Sequence, residues 1–144
     1  GQGRLSRTRP LPAGPAQAQA SAPRRGEHPE PACRMARMTV HEVDASEVPE
    51  NAFLLDVREL DEWRAGHAPQ AVHIPMGDLR SRIGEVPDAQ PIYVICRAGG
   101  RSAQAAAWIN HIGKQAINVG GGMQSWAAAG RPMVSETGMP PYVA

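Results

Sequence analysis

The sequence predicts a three-layer α/β domain, in which a mostly parallel central sheet carries helices on both of its faces. One observation is the alternation of short apolar runs with helical patterns between residues 39 and 130. Another is the composition of the runs at 52–57 and 92–95, which are almost entirely apolar, as parallel strands buried on both faces are. A third is a glycine-rich connection at 96–102 that joins a strand to a helix, which is where an open α/β sheet places its ligands.

Each predicted strand is a short run that contains β-branched or aromatic residues and lies beside a turn signal. The first is followed by a short capped turn of helix at 44–47, and Pro91 directly precedes the fourth. The predicted strands are 39–43, 52–57, 71–74, 92–95 and 115–119.

The predicted helices are short and end near glycines. Leu60 and Trp63, three residues apart, are expected to face the sheet from a helix that stops at Gly66. Ser102 is the expected N-cap of an alanine-rich helix that ends before Gly113. Besides the helix before Gly66, the predicted helices are 77–83, 103–112 and 122–129.

Charge and composition divide the 144 residues into unlike parts. Residues 1–37 hold seven Arg or Lys and two Asp or Glu, six of the fourteen prolines, and no Val, Ile or aromatic residue. Such a segment buries too little apolar surface to offset the entropy of ordering it. We therefore predict a disordered basic tail at 1–37, one folded domain at 38–134 and a flexible C-terminal end at 135–144.

The tail carries no targeting pattern that we can identify. Arg24 and Arg25 lack the apolar stretch that follows a twin-arginine signal. A basic arm that touches nucleic acid is one interpretation. The other interpretation, which we favour, is that the open reading frame has been assigned too far upstream. The natural first residue would then be Met35 or Met38. No nucleic-acid partner is therefore expected.

Compartment and cofactors are constrained by what the chain contains. Two cysteines, Cys33 and Cys96, do not form a disulfide framework, which fits a reducing cytoplasm. No apolar run approaches the roughly 18–20 residues of a membrane span, so no membrane association is expected. No Cys-x-x-Cys or paired His spacing points to a metal, and we expect neither a metal nor another cofactor.

Residues 96–102, Cys-Arg-Ala-Gly-Gly-Arg-Ser, are the most informative segment of the chain. They place Cys96 between the carboxyl end of a strand and the amino end of a helix. Loop amides and the helix dipole form an anion cradle at such a point, and Arg97 and Arg101 add full positive charge. The predicted binding loop consists of Arg97, Ala98, Gly99, Gly100, Arg101 and Ser102.

This environment predicts that Cys96 is an activated thiolate. A free cysteine has a pKa near 8.5, so only a few per cent of it is ionised at neutral pH. Lowering the pKa by about 2 requires about 2.7 kcal/mol of preferential stabilisation of the anion. A helix N-terminus, aligned amides and one or two guanidinium groups can supply that energy together. The alternative is a buried structural cysteine, which the neighbouring glycines and arginines disfavour.

The chain resembles the single-domain rhodaneses, a family of sulfurtransferases. The family's active loop has the form Cys-x-x-Gly-x-Arg-Ser, which Cys96, Gly99, Arg101 and Ser102 match. Ala68 and Gln70 depart from the family's usual Ile and Gly. Three further segments match family motifs in the same order, so that the resemblance covers about residues 39–134: 54–59 with Asp-Val-Arg-Glu, 62–75 with E-x-x-x-G-H-I-x-G-A-x-x-I-P, and 118–126 with N-x-x-G-G-x-x-x-W.

The resemblance implies transfer of a sulfane sulfur in two displacements through a persulfide on Cys96. The expected partners are a small anionic donor such as thiosulfate and a thiol or cyanide acceptor. Arg97 and Arg101 are the candidate contacts of the donor, and the sequence does not distinguish them. Asp56 and Arg58 are expected to support the site as an ion pair that fixes the end of the second strand.

Two other functions remain open on the same scaffold. One is a sulfur-relay module, which takes persulfide from a partner protein and passes it on. The other is a phosphatase or arsenate reductase. Four residues separate Cys96 from Arg101, whereas thiol phosphatases of this fold have five, and the shorter loop suits a sulfur atom better than a tetrahedral phosphoryl group.

Overall fold

The computed structural model describes residues 40–144. The predictions for the tail at 1–37 and for Cys33 lie outside the described residues. Within 40–144, no helix has the length and apolar character needed to cross a membrane.

A five-stranded sheet, parallel throughout, forms the centre of the domain, which confirms the predicted fold class. The strands are β1 (Glu42–Asp44), β2 (Phe53–Asp56), β3 (Val72–His73), β4 (Ile92–Ile95) and β5 (Ala116–Gly120), in the order β1-β5-β4-β2-β3. The helices are α1 (Leu60–Ala65), α2 (Gly100–His111) and α3 (Gly122–Ala128). The central strand β4 matches its predicted bounds, because Pro91 and the loop at 96 delimit a fully apolar run.

Alternate residues of the strands face two separate apolar clusters, one on each side of the sheet. Leu55 and Val94 face the cluster that includes Ala106 and Ile109 of α2. Leu54 and Ile95 face the other, which includes Trp126 of α3. Because strand side chains alternate with a period of two, each strand contributes to both clusters. Helices therefore cover both faces of the sheet, as the apolar composition of the strands predicts.

Three local predictions are wrong. The helix predicted at 77–83 is two separate 3-10 turns, Met76–Asp78 and Ile83–Glu85. Leu60 is 56% exposed, because it is the first residue of a six-residue helix and lies at its outer end. Ser102 is inside α2, whose N-cap is Gly99, because its hydroxyl is bonded elsewhere.

The segment 135–144, for which the sequence predicts a flexible end, contacts the domain. The carboxylate of Glu136 lies 2.8 Å from Nε2 of His67, and the Tyr142 amide donates to the Ala65 carbonyl at 3.1 Å. Val143 packs against the apolar cluster that includes Trp126 of α3. The limits assigned to the tail and to the domain remain predictions.

Candidate active site

Cys96 lies at the middle of the carboxyl edge of the sheet. It directly follows β4, which pairs with β2 on one side and β5 on the other. Gly99 then takes a left-handed backbone conformation, with φ +108°, and α2 begins at Gly100. A side chain at Gly99 would approach the Gly121 amide to 3.1 Å, so both the turn and the packing favour glycine.

Hydrogen-bond donors of the loop converge on the sulfur of Cys96. The Gly99 amide donates to Sγ at 3.1 Å, and the Ser102 hydroxyl lies 3.3 Å from Sγ in donating geometry. The residue is only 1% exposed, so the sulfur lies at the base of the loop and not on the surface. Cys96 also belongs to the apolar cluster that includes Ala106 and Ile109 of α2. Its sulfur nevertheless contacts hydrogen-bond donors of the loop as well as apolar side chains.

Burial raises the pKa of the Cys96 thiol, but hydrogen bonds to the sulfur outweigh burial and the pKa lies below its ordinary value. These bonds come from the Ser102 hydroxyl and from the amides of Ser102, Gly99 and Ala98. A hydrogen bond to the charged form favours ionisation. The direction agrees with the sequence-based expectation of an activated thiolate.

Ser102 connects the sulfur to β5. Its hydroxyl donates to Oδ1 of Asn118 at 2.6 Å, and Asn118 Nδ2 donates to the Gly99 carbonyl at 3.3 Å. Ser102 and Asn118 are both buried. One side chain of β5 therefore contacts Ser102 and Gly99, two of the residues that hydrogen-bond to the sulfur of Cys96.

The two loop arginines have different partners. Arg101 forms two parallel bonds to Glu62, Nη1 to Oε1 at 2.8 Å and Nη2 to Oε2 at 2.9 Å. Glu62 also accepts from the Glu59 amide at 2.9 Å, at the start of α1. The bond to Arg101 lowers the pKa of Glu62 to about 2 and raises that of Arg101. The charge of Arg101 is thus balanced by a carboxylate.

Arg97 is exposed and carries no carboxylate partner among the described residues. Its Nε donates to the main-chain oxygen of Ala144 at 3.0 Å. Arg97 is therefore held by one hydrogen bond from Nε, whereas the guanidinium of Arg101 is held at both ends by one acidic side chain.

Asp56 and Arg58 form a fully buried, bidentate ion pair at the carboxyl end of β2. Arg58 donates through Nε to Oδ1 at 2.9 Å and through Nη2 to Oδ2 at 2.7 Å. The same Nη2 donates to the Gly66 carbonyl at 2.8 Å, so the pair joins the end of β2 to the end of α1. Among the described residues, Nη1 of Arg58 has no hydrogen-bond partner.

The amino end of α3 lies against the backbone of the loop. The amides of Met123 and Gln124 donate to the carbonyls of Cys96 and Arg97, at 2.7 and 3.0 Å. Gly122 has φ +57°, and a side chain there would overlap the Cys96 and Arg97 backbone. The glycines at 120–122 therefore allow α3 to hold the loop from behind.

Two residues that sequence analysis did not identify as site residues lie at the centre of these contacts. Glu62 and Asn118 each stand in a segment that resembles a family motif, which was the available signal. Their partners are 39 and 16 residues away in sequence, so no local pattern reveals the contacts. Among the described residues, no group of three or more His, Cys, Asp or Glu side chains could hold a metal ion.

A family model described as the rhodanese-like domain matches residues 39–129. The chain therefore belongs to the rhodanese-like domain family. The segment includes Cys96, the loop, and the partners Glu62 and Asn118.

Similar proteins include sulfur-transfer proteins of bacteria. Residues of this chain are 42% identical over 78 residues to YrkF of Bacillus subtilis (strain 168), described as a candidate sulfur carrier protein; the match spans 54% of this chain and 42% of YrkF. YtwF of the same organism, described as a candidate sulfurtransferase, is 37% identical, over 60% of this chain and 84% of YtwF. The rhodanese-related crystal structure from Thermoplasma volcanium aligns with TM-score 0.62 and 33% identity, covering 65% of this chain and 97% of that one.

Proposed function

We propose that this member of the rhodanese-like domain family is a sulfurtransferase that carries a sulfane sulfur as a persulfide on Cys96. The observation that supports it is the convergence of the Gly99 amide and the Ser102 hydroxyl on Sγ. These donors suit a sulfur anion, and no general base within reach is needed to form one. The proposed setting is the reducing cytoplasm, where the thiol stays free.

In the first half-reaction, the Cys96 thiolate attacks the outer sulfur of an anionic donor, with thiosulfate as the proposed substrate. A new S–S bond forms at Cys96 while the S–S bond of thiosulfate breaks. Its electron pair leaves with sulfite, and Cys96 becomes a persulfide anion of the same charge as the thiolate. This is nucleophilic catalysis that divides one transfer into two steps.

In the second half-reaction, a thiolate or cyanide attacks the outer sulfur of the persulfide. That atom moves to the acceptor, and the electron pair of the breaking bond returns to Cys96 as thiolate. The outer sulfur lies about 2.05 Å beyond Sγ. The added atom therefore extends from the buried thiol into the loop, where Gly99 and Ser102 donate and where an acceptor can reach it.

Arg97 is the proposed contact of the anionic donor, and Arg101 the proposed positioning residue. The guanidinium of Arg101 is held at both ends by Glu62, whereas Arg97 is exposed and pairs with no Asp or Glu side chain among the described residues. A guanidinium already neutralised by an acidic side chain attracts an anion less than one that has no such partner. We expect Arg97→Gln to raise KM for thiosulfate several-fold with little loss of stability. We expect Arg101→Gln to lower the melting temperature as well, because Glu62 is left unpaired.

Steady-state transfer from thiosulfate to cyanide tests the proposal. Wild type and Cys33→Ser should turn over alike, and Cys96→Ser should be inactive. Turnover by Cys96→Ser equal to wild type would refute the proposed nucleophile. Hydrolysis of p-nitrophenyl phosphate that depends on Cys96 would instead favour the phosphatase alternative.

A sulfur-relay module is the second candidate, because a 42% identical relative is described as a sulfur carrier. The chain covers less than half of that relative, so the rest of its activity is not implied here. A relay module would show a high KM and negligible rate with thiosulfate, together with fast loading from a persulfide-bearing partner protein. Efficient thiosulfate turnover would favour the enzyme.

A further inference from the structure

The hydroxyl of Ser102 has two acceptors but only one proton. Its oxygen lies 2.6 Å from Oδ1 of Asn118 and 3.3 Å from Sγ of Cys96. A serine hydroxyl donates one hydrogen bond and accepts through two lone pairs. It therefore cannot donate fully to the sulfur and to the amide oxygen at the same time.

The amide of Asn118 is oriented by a second contact. Its Nδ2 donates to the Gly99 carbonyl at 3.3 Å, which directs Oδ1 to Ser102. Asn118 is 2% exposed, so water does not reach Oδ1 to replace a donor that is lost. Losing that donor therefore costs free energy. The side chain acts as a fixed, buried acceptor for the Ser102 proton.

The two protonation states of Cys96 use this network differently. With a neutral thiol, S–H donates to Ser102 Oγ, and Ser102 donates to Asn118, so every group is satisfied. With a thiolate, the Ser102 proton is needed at the sulfur, and Oδ1 of Asn118 loses its donor. A buried acceptor left without its donor costs free energy, and that cost falls only on the ionised state.

We propose that Asn118 is a positioning residue that competes with Cys96 for the hydroxyl proton of Ser102 and thereby restrains ionisation of the thiol. The functional role of this competition rests on the proposed sulfur transfer. A thiol of lower pKa is a better leaving group but a weaker nucleophile once ionised. Restraint of ionisation by Asn118 then balances loading of Cys96 against delivery from it.

Other charged groups near Cys96 are the same in every variant of the test, so they do not produce differences between variants. They stand in the loop and the first turn of α2 (Arg97 and Arg101), at the start of α1 (Glu59 and Glu62), at and just after the end of β2 (Asp56 and Arg58) and on β1 (Glu42).

The test is the pH dependence of Cys96 alkylation by iodoacetamide, measured in a Cys33→Ser background in which Cys96 is the only cysteine. Asn118→Leu removes the acceptor, and the Gly99 carbonyl keeps its bond from the Ala103 amide. We expect the midpoint of the profile to fall by about 0.5–1 pH units, the size of the one neutral hydrogen bond between Ser102 and Asn118 that ionisation otherwise gives up. In a Ser102→Ala background the same substitution should leave the midpoint unchanged.

A midpoint that stays or rises in Asn118→Leu overturns the proposal, as does an equal fall without Ser102. A merely structural Asn118 predicts a rise, because loosened donors stabilise the thiolate less. If Asn118→Leu does not fold, Asn118→Asp decides, because the carboxylate is a stronger acceptor of the same shape. Its midpoint should rise more with Ser102 present than with Ser102→Ala, and an equal or smaller rise overturns the proposal.

Alkylation reports ionisation whether or not sulfur is transferred. A chain that follows this pattern but takes up no sulfur from thiosulfate would contradict the proposed donor and leave the role of Asn118 intact. A chain that takes up sulfur but shows no Ser102-dependent change would do the reverse.

Discussion

At the scale of single residues, the chemistry of Cys96 depends on a contest between burial and hydrogen bonding. A buried thiol is normally inert, since desolvation disfavours its anion. Here the Gly99 amide and the Ser102 hydroxyl reach the sulfur, and the pKa lies below its ordinary value. The loop therefore replaces the solvation that burial removes.

Gly122 gives a test of how the loop is held. Gly122→Ala should cost the left-handed backbone penalty of about 1–2 kcal/mol and, in addition, push the Cys96 backbone away from α3. We expect a lower free energy of unfolding and a large loss of sulfur transfer. The measurement is chemical denaturation together with the thiosulfate assay.

Gly130→Ala is the matched control, because Gly130 also has positive φ (+72°) but open space where a Cβ would stand. It should cost only the backbone penalty and retain transfer. Equal losses of activity in Gly122→Ala and Gly130→Ala would show that contact with the loop backbone is not what matters.

At the scale of elements, α1 and α2 are joined by Glu62 and Arg101. Glu62 accepts from the Glu59 amide at the start of α1 and from the guanidinium of Arg101 in the first turn of α2. One carboxylate thus sets the position of the helix that follows the Cys96 loop.

This contact predicts a specific dependence of stability on pH. The pKa of Glu62 is about 2 in the folded protein, mainly because of its bond to Arg101, against 4.5 as the ordinary value. Its contribution is therefore complete above pH 4.5 and is lost as pH falls towards 2. Glu62→Gln should lower the free energy of unfolding by about 1 kcal/mol at neutral pH, a value reduced for screening at the partly exposed Arg101.

The measurement is urea denaturation of wild type and Glu62→Gln at pH 7 and pH 3, and the difference between them should shrink at the lower pH. Glu85→Gln is the control, because its ion pair with Arg82 has the same 2.8 Å length but is half exposed. A difference for Glu62→Gln that is independent of pH would contradict the assigned role.

Several elements could be predicted from sequence because their signals are local. The apolar run of β4 and the glycine-bounded helix after it required no knowledge of distant residues. The helix predicted at 77–83 failed because that stretch folds as short 3-10 turns. The cap assigned to Ser102 failed because tertiary contacts with Cys96 and Asn118 use its hydroxyl, which no local pattern reports.

At the scale of the whole described domain, the helices on the two faces of the sheet contact Cys96 and its loop in different ways. The α2 face packs against Cys96 itself, whereas α3 on the other face holds the loop backbone through its first amides. The C-terminal segment contacts the end of α1 and the turn that follows it. Tyr142 hydrogen-bonds to Ala65, and Glu136 lies against His67.

Removal of residues 135–144 tests whether this segment is part of the fold. It would delete the His67–Glu136 pair, the Tyr142–Ala65 bond and the packing of Val143. We expect the free energy of unfolding to fall by about 1–3 kcal/mol, from a few hydrogen bonds and one partly buried side chain. A free energy of unfolding in urea equal to that of the full chain would support the sequence-based expectation of a flexible end.

The proposed sulfur transfer requires that the sulfur of Cys96 accept a second sulfur atom and hold it as an anion. Intact-mass spectrometry after exposure to thiosulfate tests it most directly, on wild type, Cys33→Ser and Cys96→Ser. Wild type and Cys33→Ser should each gain one sulfur atom, which cyanide removes, and Cys96→Ser should gain none. No gain in wild type, or an equal gain in Cys96→Ser, would contradict it.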